Sequence, residues 1–319
     1  MWITSSLQAA RVPTHIALGN FDGVHLGHQR VMAEVVSGNP DAAVACATVV
    51  TFSPHPQAYF LGISKPLLTP VEEKACQLEV LGIEQLVTLP FNTALAALTP
   101  EEFVEQILVN GLHAQRISVG SDFRFGKGRS GDALGLRAIA AKYNIPVMLV
   151  PLREEKGDRI SSSRIREALQ SGNLSDATQL LGRFYTLTGT VVMGQQLGRT
   201  IGFPTANLQV PSEKFLPRTG VYSVWVRLSE QVLIKGVMNI GHRPTVSGQD
   251  LSIEVHLLDW AGDLYGQTLT VELTEFIRAE QKFDSLAALK AQIVKDCETA
   301  RQYLNDGSNV ISDNTLGVT

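Results

Sequence analysis

The first half of the chain alternates short apolar runs with amphipathic stretches. The runs are HIALGNF (15–21), VACATVVTF (44–52), QLVTL (85–89), RISVG (115–119) and PVMLV (146–150). Runs of this length, rich in β-branched residues and apolar at successive positions, predict strands buried on both faces, as in a parallel sheet. Between them, residues 28–37, 70–81, 100–109 and 131–143 carry helical spacing, with Thr69 and Thr99 placed as N-caps ahead of Pro70 and Pro100. Strand alternating with helix predicts an open, doubly wound α/β domain.

After about residue 183 the period becomes two. YTLTGTVV, TANLQV, GVYSVWVRL, VLIKGVMNI, LSIEVHLLDW and LTVELTEFI alternate apolar and polar positions between Gly, Pro and Asp turns. Six such strands predict a small closed barrel, and residues 285–304 have the spacing of a helix packed on it. The polar stretch 305–319 reads as a disordered tail.

Composition narrows the classes. A chain of 319 residues exceeds what one core usually serves, so two domains are expected. With 44% apolar and 18% charged residues and a net charge of −4, there is no general bias towards nucleic acid, and any polyanion site must be local. Cys46, Cys76 and Cys297 are odd in number and lack CxxC or CxxH spacing, so they read as reduced, mostly buried residues rather than disulfides or zinc ligands. No basic-then-apolar leader and no apolar stretch of about 18 residues is present, which predicts a cytoplasmic protein with no membrane partner.

Candidate chemistry concentrates in a few strings. GNFDGVHLGHQ (19–29) follows a predicted strand and opens a helix, which is where backbone amides and the helix dipole receive phosphate. His25 and His28 flank Gly27, so two imidazoles can donate to one phosphate as charge builds on it. Taken alone, the run also fits a helix cap with a buried histidine. ISSSRIR (160–166) places hydroxyls at a helix start with Arg164 and Arg166 in the first turn, where arginine opposes the dipole unless an anion is bound. It reads alone as a serine cap with solvated arginines, and together with HxGH as a triphosphate clamp.

In the second half, GQQLGRTIGFPTANLQV (194–210) joins a glycine-bearing loop to a strand without the order of a P-loop. Thr205 and Asn207 share one face of that strand, and a hydroxyl with an amide oxygen suits Mg²⁺; a solvated strand face is the other reading. Glu254, between Ile253 and Val255 with His256 on its face, fits either a surface glutamate or a general base of raised pKa acting on an alcohol. TFSPHP (51–56) reads as a strand-ending turn set by Pro54 and Pro56.

HLGH with ISSSRIR resembles the HxGH adenylyltransferase superfamily. GNFDGVHLGHQ, TFSPHP and GSDFRFGKGRSGD (120–132) resemble the N-terminal module of bacterial bifunctional riboflavin kinase/FAD synthetases. GRTIGFPTANL, LPRTGVYSV, NIGHRPTV, IEVHLLD and IRAEQKF resemble, in order, the riboflavin kinase barrel from about Gly182 to Leu304. The resemblance implies a Rossmann-like nucleotidylyltransferase domain over 1–182 and a six-stranded kinase β-barrel with a C-terminal helix over 183–304. It implies phosphorylation of riboflavin to FMN by the second domain and adenylylation of FMN to FAD and pyrophosphate by the first, with ATP as co-substrate and Mg²⁺ as cofactor.

Carried onto this sequence, the resemblance puts His25 and His28 at the ATP α-phosphate and Ser162, Ser163 and Arg166 on the distal phosphates, with Gly19, Phe21 and Gly27 in the same ATP site and Asp122 as a nucleotide or metal contact. It puts Thr205 and Asn207 on Mg²⁺ and ATP phosphates beside Gly198, Glu254 as the base for the ribityl 5′-hydroxyl, and His55 against FMN. Two departures stand out: Phe184 in LGRFY, where many relatives have proline, and Glu84 in GIEQL, where aspartate is commoner. The rival readings are an adenylyltransferase for another phosphorylated metabolite and a flavin carrier without catalysis.

Overall fold

The computed structural model describes residues 1–36, 45–63, 65–155, 158–194, 197–229, 232–245 and 248–306. The chain divides into two compact units, Met1–Ser162 and Ser163–Thr319.

The first unit is built on a six-stranded sheet of β1 (Trp2–Thr4), β2 (Thr14–Leu18), β3 (Cys46–Ser53), β4 (Gln85–Pro90), β5 (Ala114–Gly120) and β6 (Val147–Val150). Its order is β1-β4-β3-β2-β5-β6 and every pairing is parallel, so the doubly wound expectation holds. Alternate residues of β2 feed two cores. Ile16 and Leu18 join Val50, Val87, Ile117 and Val119 on one face. Ala17 joins Val49 and Leu86 on the other, under Val31, Met32 and Val35 of α1 (Leu26–Val36) and Ala75 and Leu78 of α2 (Val71–Val80). A strand covered on both faces needs apolar residues at every position, which is why it reads as an unbroken run. Strand order reverses at β2, whose neighbours are β3 and β5, and in such sheets the ligand crevice lies beyond the carboxyl ends of the strands at that point.

Three local expectations need correction. The edge strand β1 was not predicted, because its three residues show no period of their own and pair only through the register Trp2↔Gln85 to Thr4↔Val87. Residues 100–109 form a helix as expected, with Thr99 in a capping box with Glu102, but from Val104 to Gly111 the turns widen to the π form. Thr69 is not a cap: α2 starts from Pro70 without a side-chain cap, and the Thr69 hydroxyl instead accepts the Gly23 N–H at 2.9 Å.

The second unit opens one residue into α3 (Ser162–Ser171), runs through α4 (Leu174–Leu181) and continues into the barrel. Its strands are β7 (Tyr185–Val192), β8 (Ala206–Gln209), β9 (Gly220–Ser229), β10 (Val232–Thr245), β11 (Gly248–Leu257) and β12 (Thr268–Arg278). They close in the order β7-β8-β11-β10-β9-β12, antiparallel throughout. Leu187, Val224, Val226, Met238, Ile240, Val255 and Val271 are fully buried at alternate positions. Against the opposite face, α5 (Leu286–Asp306) packs Cys297, Ala300 and Leu304 on Val221, Val237 and Leu258. The compact unit begins ahead of the expected boundary at 182/183 because α3 and α4 are held to the barrel, with the Arg218 N–H donating to the Leu169 carbonyl at 3.0 Å. Residues 307–319, most of the expected tail, lie outside the described residues. All three cysteines are free, but only Cys297 is buried; Cys46 is half-buried and Cys76 exposed, contrary to expectation.

Candidate active sites

The HxGH segment leaves β2 at the switch point. Gly19 closes the strand register, its N–H donating to Val50 at 3.1 Å. The chain then turns through the left-handed region at Phe21 (φ 50°), Gly23 (φ 87°) and Val24 (φ 44°). For Phe21 and Val24 this costs of order 1–3 kcal/mol each and persists only where the surroundings over-determine it. The restraints are on hand. Thr51 and Lys74 both donate to the Asn20 carbonyl, the Thr69 N–H donates to the buried Asp22 carboxylate, and the Ser162 hydroxyl donates to the Asp22 carbonyl at 2.8 Å. Emerging from this turn, the His25 and His28 rings stack at 3.5 Å between centroids and 17° between planes. The Phe21 ring meets His28 edge-on at 5.3 Å. A side chain at Gly27 would place its Cβ 3.2 Å from the His25 ring, so glycine permits the stack.

The other expected contacts are distributed unevenly. Asp122, just past β5, is ion-paired with Arg159. His55 is the N-cap of a short helix, Pro56–Leu61, its Nδ1 accepting the Gln57 N–H at 3.0 Å, so the turn and the histidine are one feature. Beside it the rings of Tyr59 and Phe60 close on Phe91, which meets Phe52. Sequence reasoning missed this cluster, since aromatics in three separate elements leave no common spacing. In the second unit, Arg164 pairs with Asp176 of α4 at 3.0 Å, which accounts for one first-turn arginine without an anion. Arg166 lies over the Phe215 ring at 5.6 Å.

The barrel arranges its polar groups by register. Asn207 of β8 lies opposite Glu254 of β11, which lies opposite Asn239 of β10. The three therefore share one face of three adjacent strands, the face that α5 approaches. A cavity of about 330 Å³ opens there, lined by Gly198, Thr205, Asn239, Glu254 and His256 on one wall and by Phe283, Leu289 and Ile293 on the other. His256 Nδ1 is 2.7 Å from the Pro204 carbonyl, which fixes the ring beside Glu254. At Gly194 a Cβ would collide with the Asn207 carboxamide, so a side chain there would have to displace that group. Gln195 and Gln196 of that loop lie outside the described residues.

A family model for FAD synthetase matches residues 7–164, and one for riboflavin kinase matches residues 181–304. The bifunctional riboflavin kinase/FMN adenylyltransferase of Haemophilus influenzae is 40% identical over 91% of this chain and 94% of its own length. That of Escherichia coli K12 is 41% identical over 93% of this chain and 94% of its own. The chain belongs to the bifunctional riboflavin kinase/FMN adenylyltransferase family. Its FAD synthetase domain precedes its riboflavin kinase domain, and ATP is the co-substrate of both. A crystal structure described as a macrolide-efflux protein of Streptococcus pneumoniae superposes with a TM-score of 0.82 and 30% identity, covering 94% of this chain and 98% of that one. No helix among the described residues is long and apolar enough to cross a membrane.

Within this family frame, the second cavity wall is what sequence reasoning left out. Arg278 ends β12 and holds the buried Asp296 of α5 through its Nε at 3.0 Å and Nη2 at 2.7 Å, while Gln292 donates to the same carboxylate at 2.8 Å. Arg278 and Asn239 sat in the strings IRAEQKF and NIGHRPTV without a role. Asp296 left no signal, being one polar residue of an amphipathic helix. The Glu84 departure also has a use, since its carboxylate accepts the Ala47 N–H at 2.9 Å at the start of β3.

Proposed function

We propose that the chain makes FAD in two ATP-dependent steps at two sites, one phosphorylating riboflavin and one adenylylating the resulting FMN. The observation that carries this is the register of Asn207, Glu254 and Asn239, of which Glu254 and Asn239 line a cavity of flavin-compatible size, in a chain that also presents a stacked histidine pair at a switch point. In the kinase site, Glu254 accepts the proton of the ribityl 5′-hydroxyl as that oxygen attacks the γ-phosphorus and ADP leaves. Thr205 and Asn207 offer hydroxyl and carboxamide oxygens, hard donors of the kind Mg²⁺ takes, beside Gly198. Magnesium bound there supplies charge neutralisation for the phosphates.

In the adenylylation site the FMN phosphate oxygen attacks the α-phosphorus of ATP and pyrophosphate departs. His25 and His28 donate to the α-phosphate as its charge grows, with Gly19, Phe21 and Gly27 shaping the loop. Ser162, Ser163 and Arg166 take the distal phosphates, Asp122 the nucleotide, and His55 with its neighbouring rings the FMN. We put the functional boundary at 182/183, a reading supported by the end of α4 on the left-handed Gly182. Three free cysteines support a reducing, cytoplasmic setting.

The test is a chromatographic time course of the purified chain with riboflavin, ATP and Mg²⁺. FMN rising and then giving way to FAD is the expected result. Accumulation of FMN alone would remove the adenylylation assignment, and unchanged riboflavin would remove both.

A further inference from the structure

The histidine loop is stapled from one short segment. Thr69, at its start, accepts the Gly23 N–H, and Lys74, one turn into α2, sends its ammonium to the Asn20 carbonyl at 2.9 Å. Lys74 is only 7% exposed. Burying an ammonium is costly, and an apolar side chain of the same length would fill the space without that cost. The charge is therefore retained for what it holds.

What it holds is one peptide plane. The Asn20 carbonyl belongs to the peptide that precedes Phe21, so pinning that oxygen restrains the φ of Phe21, the first left-handed residue of the loop at 50°. Thr51 donates to the same oxygen at 3.1 Å. Phe21 is 2% exposed, and its ring stands edge-on against His28. A continuous line of contact thus runs from the ammonium through a backbone carbonyl and a buried ring to the imidazole. Burial holds the Lys74 pKa below its ordinary value, with Asp22 acting in the opposite sense.

We infer that Lys74 is a positioning residue for adenylyl transfer, setting the Asn20–Phe21 peptide so that the Phe21 ring seats His28. This rests on the assignment of His25 and His28 to that reaction.

Full-length Lys74→Met and Lys74→Gln test it, with both reactions measured on each. A misplacement on the scale of an ångström costs about 10²-fold, so Lys74→Met should lower kcat for FMN adenylylation by roughly that factor. KM for FMN and ATP, and riboflavin phosphorylation, should stay near wild type. Lys74→Gln keeps an N–H donor for the carbonyl and should recover most of the loss. A folded Lys74→Met with wild-type kcat would overturn the inference, as would equal loss in both variants or a change confined to KM for FMN. If Lys74→Met does not fold, Thr51→Val removes the other donor to the same oxygen and carries the same kcat readout, with unchanged kcat counting against the inference. His28→Ala separates the two levels. Adenylylation surviving it would overturn the assignment of the loop, whereas loss there with full activity in Lys74→Met would overturn only the role of Lys74.

Discussion

The histidine loop and the barrel cavity hold their polar groups by opposite means. In the first, the backbone is forced through left-handed positions at Phe21 and Val24 and kept there by side chains from elsewhere, Thr51, Thr69, Lys74 and Ser162 among them. In the second, Asn207, Glu254 and Asn239 need no unusual backbone, because antiparallel register alone sets them side by side. A loop site can change by altering one restraint. A ladder site can change only at the residues themselves or at whatever passes over them, because slipping the register would turn every side chain to the other face.

The comparison breaks most directly at the groups proposed to be catalytic. Glu254→Gln should lower riboflavin phosphorylation by about 10²–10⁴-fold, the usual worth of a general base, and leave FMN-to-FAD conversion intact. A variant that phosphorylates riboflavin at the wild-type rate would remove Glu254 from the mechanism. His28→Ala should do the converse, lowering adenylylation by about 10²–10³-fold with phosphorylation spared. If both activities fell together in a folded protein, the assignment of one reaction to each site would fail.

The same contrast explains what could be read from the sequence. Parallel strands buried on both faces and the period-two barrel strands were legible because burial itself writes those patterns. The histidines were legible because HxGH follows a strand, and Glu254 because it interrupts β-formers. The restraints on the loop were not: Thr69 stands where a helix cap belongs, yet its hydroxyl serves Gly23, a contact spanning 46 positions. Lys74 looks like any charged residue of an amphipathic helix. The far cavity wall was hidden for a related reason, since Arg278 and Asp296 meet only after the barrel has closed and α5 has packed on it.

Two smaller changes sharpen the ladder side. Gly194→Ala brings a Cβ into the Asn207 carboxamide. Displacing one oriented group should reduce kcat/KM for riboflavin phosphorylation by about 10-fold without touching adenylylation; an unaffected rate would mean that Asn207 can move without consequence. Asp296→Ala breaks a pair in which the carboxylate side chain is 4% exposed and the guanidinium 20%. Stranding a buried charge should destabilise the barrel by about 3 kcal/mol, read as a lower denaturant midpoint, and should raise KM for riboflavin as the wall loosens.

The smallest effect is a pH dependence of opposite sign in the two regions. Burial pushes the Cys297 thiol from an ordinary 9.0 up to about 11, opposed by Arg301 and reinforced by Asp296. Between those values the folded barrel keeps a proton that the unfolded chain has lost, so barrel stability falls as pH rises through that window. Lys74 runs the other way: burial lowers its pKa below 10.5, the folded unit releases its proton first, and stability rises as pH climbs towards that value. Hydrogen exchange on the intact chain at about pH 8 and about pH 10 resolves the two regions separately. Measured against Cys297→Ala, the wild-type barrel should lose protection with rising pH, and against Lys74→Met the wild-type loop should gain it. Parallel pH trends in wild type and Cys297→Ala would show that the thiol does not keep its proton on folding, and parallel trends in wild type and Lys74→Met would show that folding does not lower the pKa of the buried ammonium.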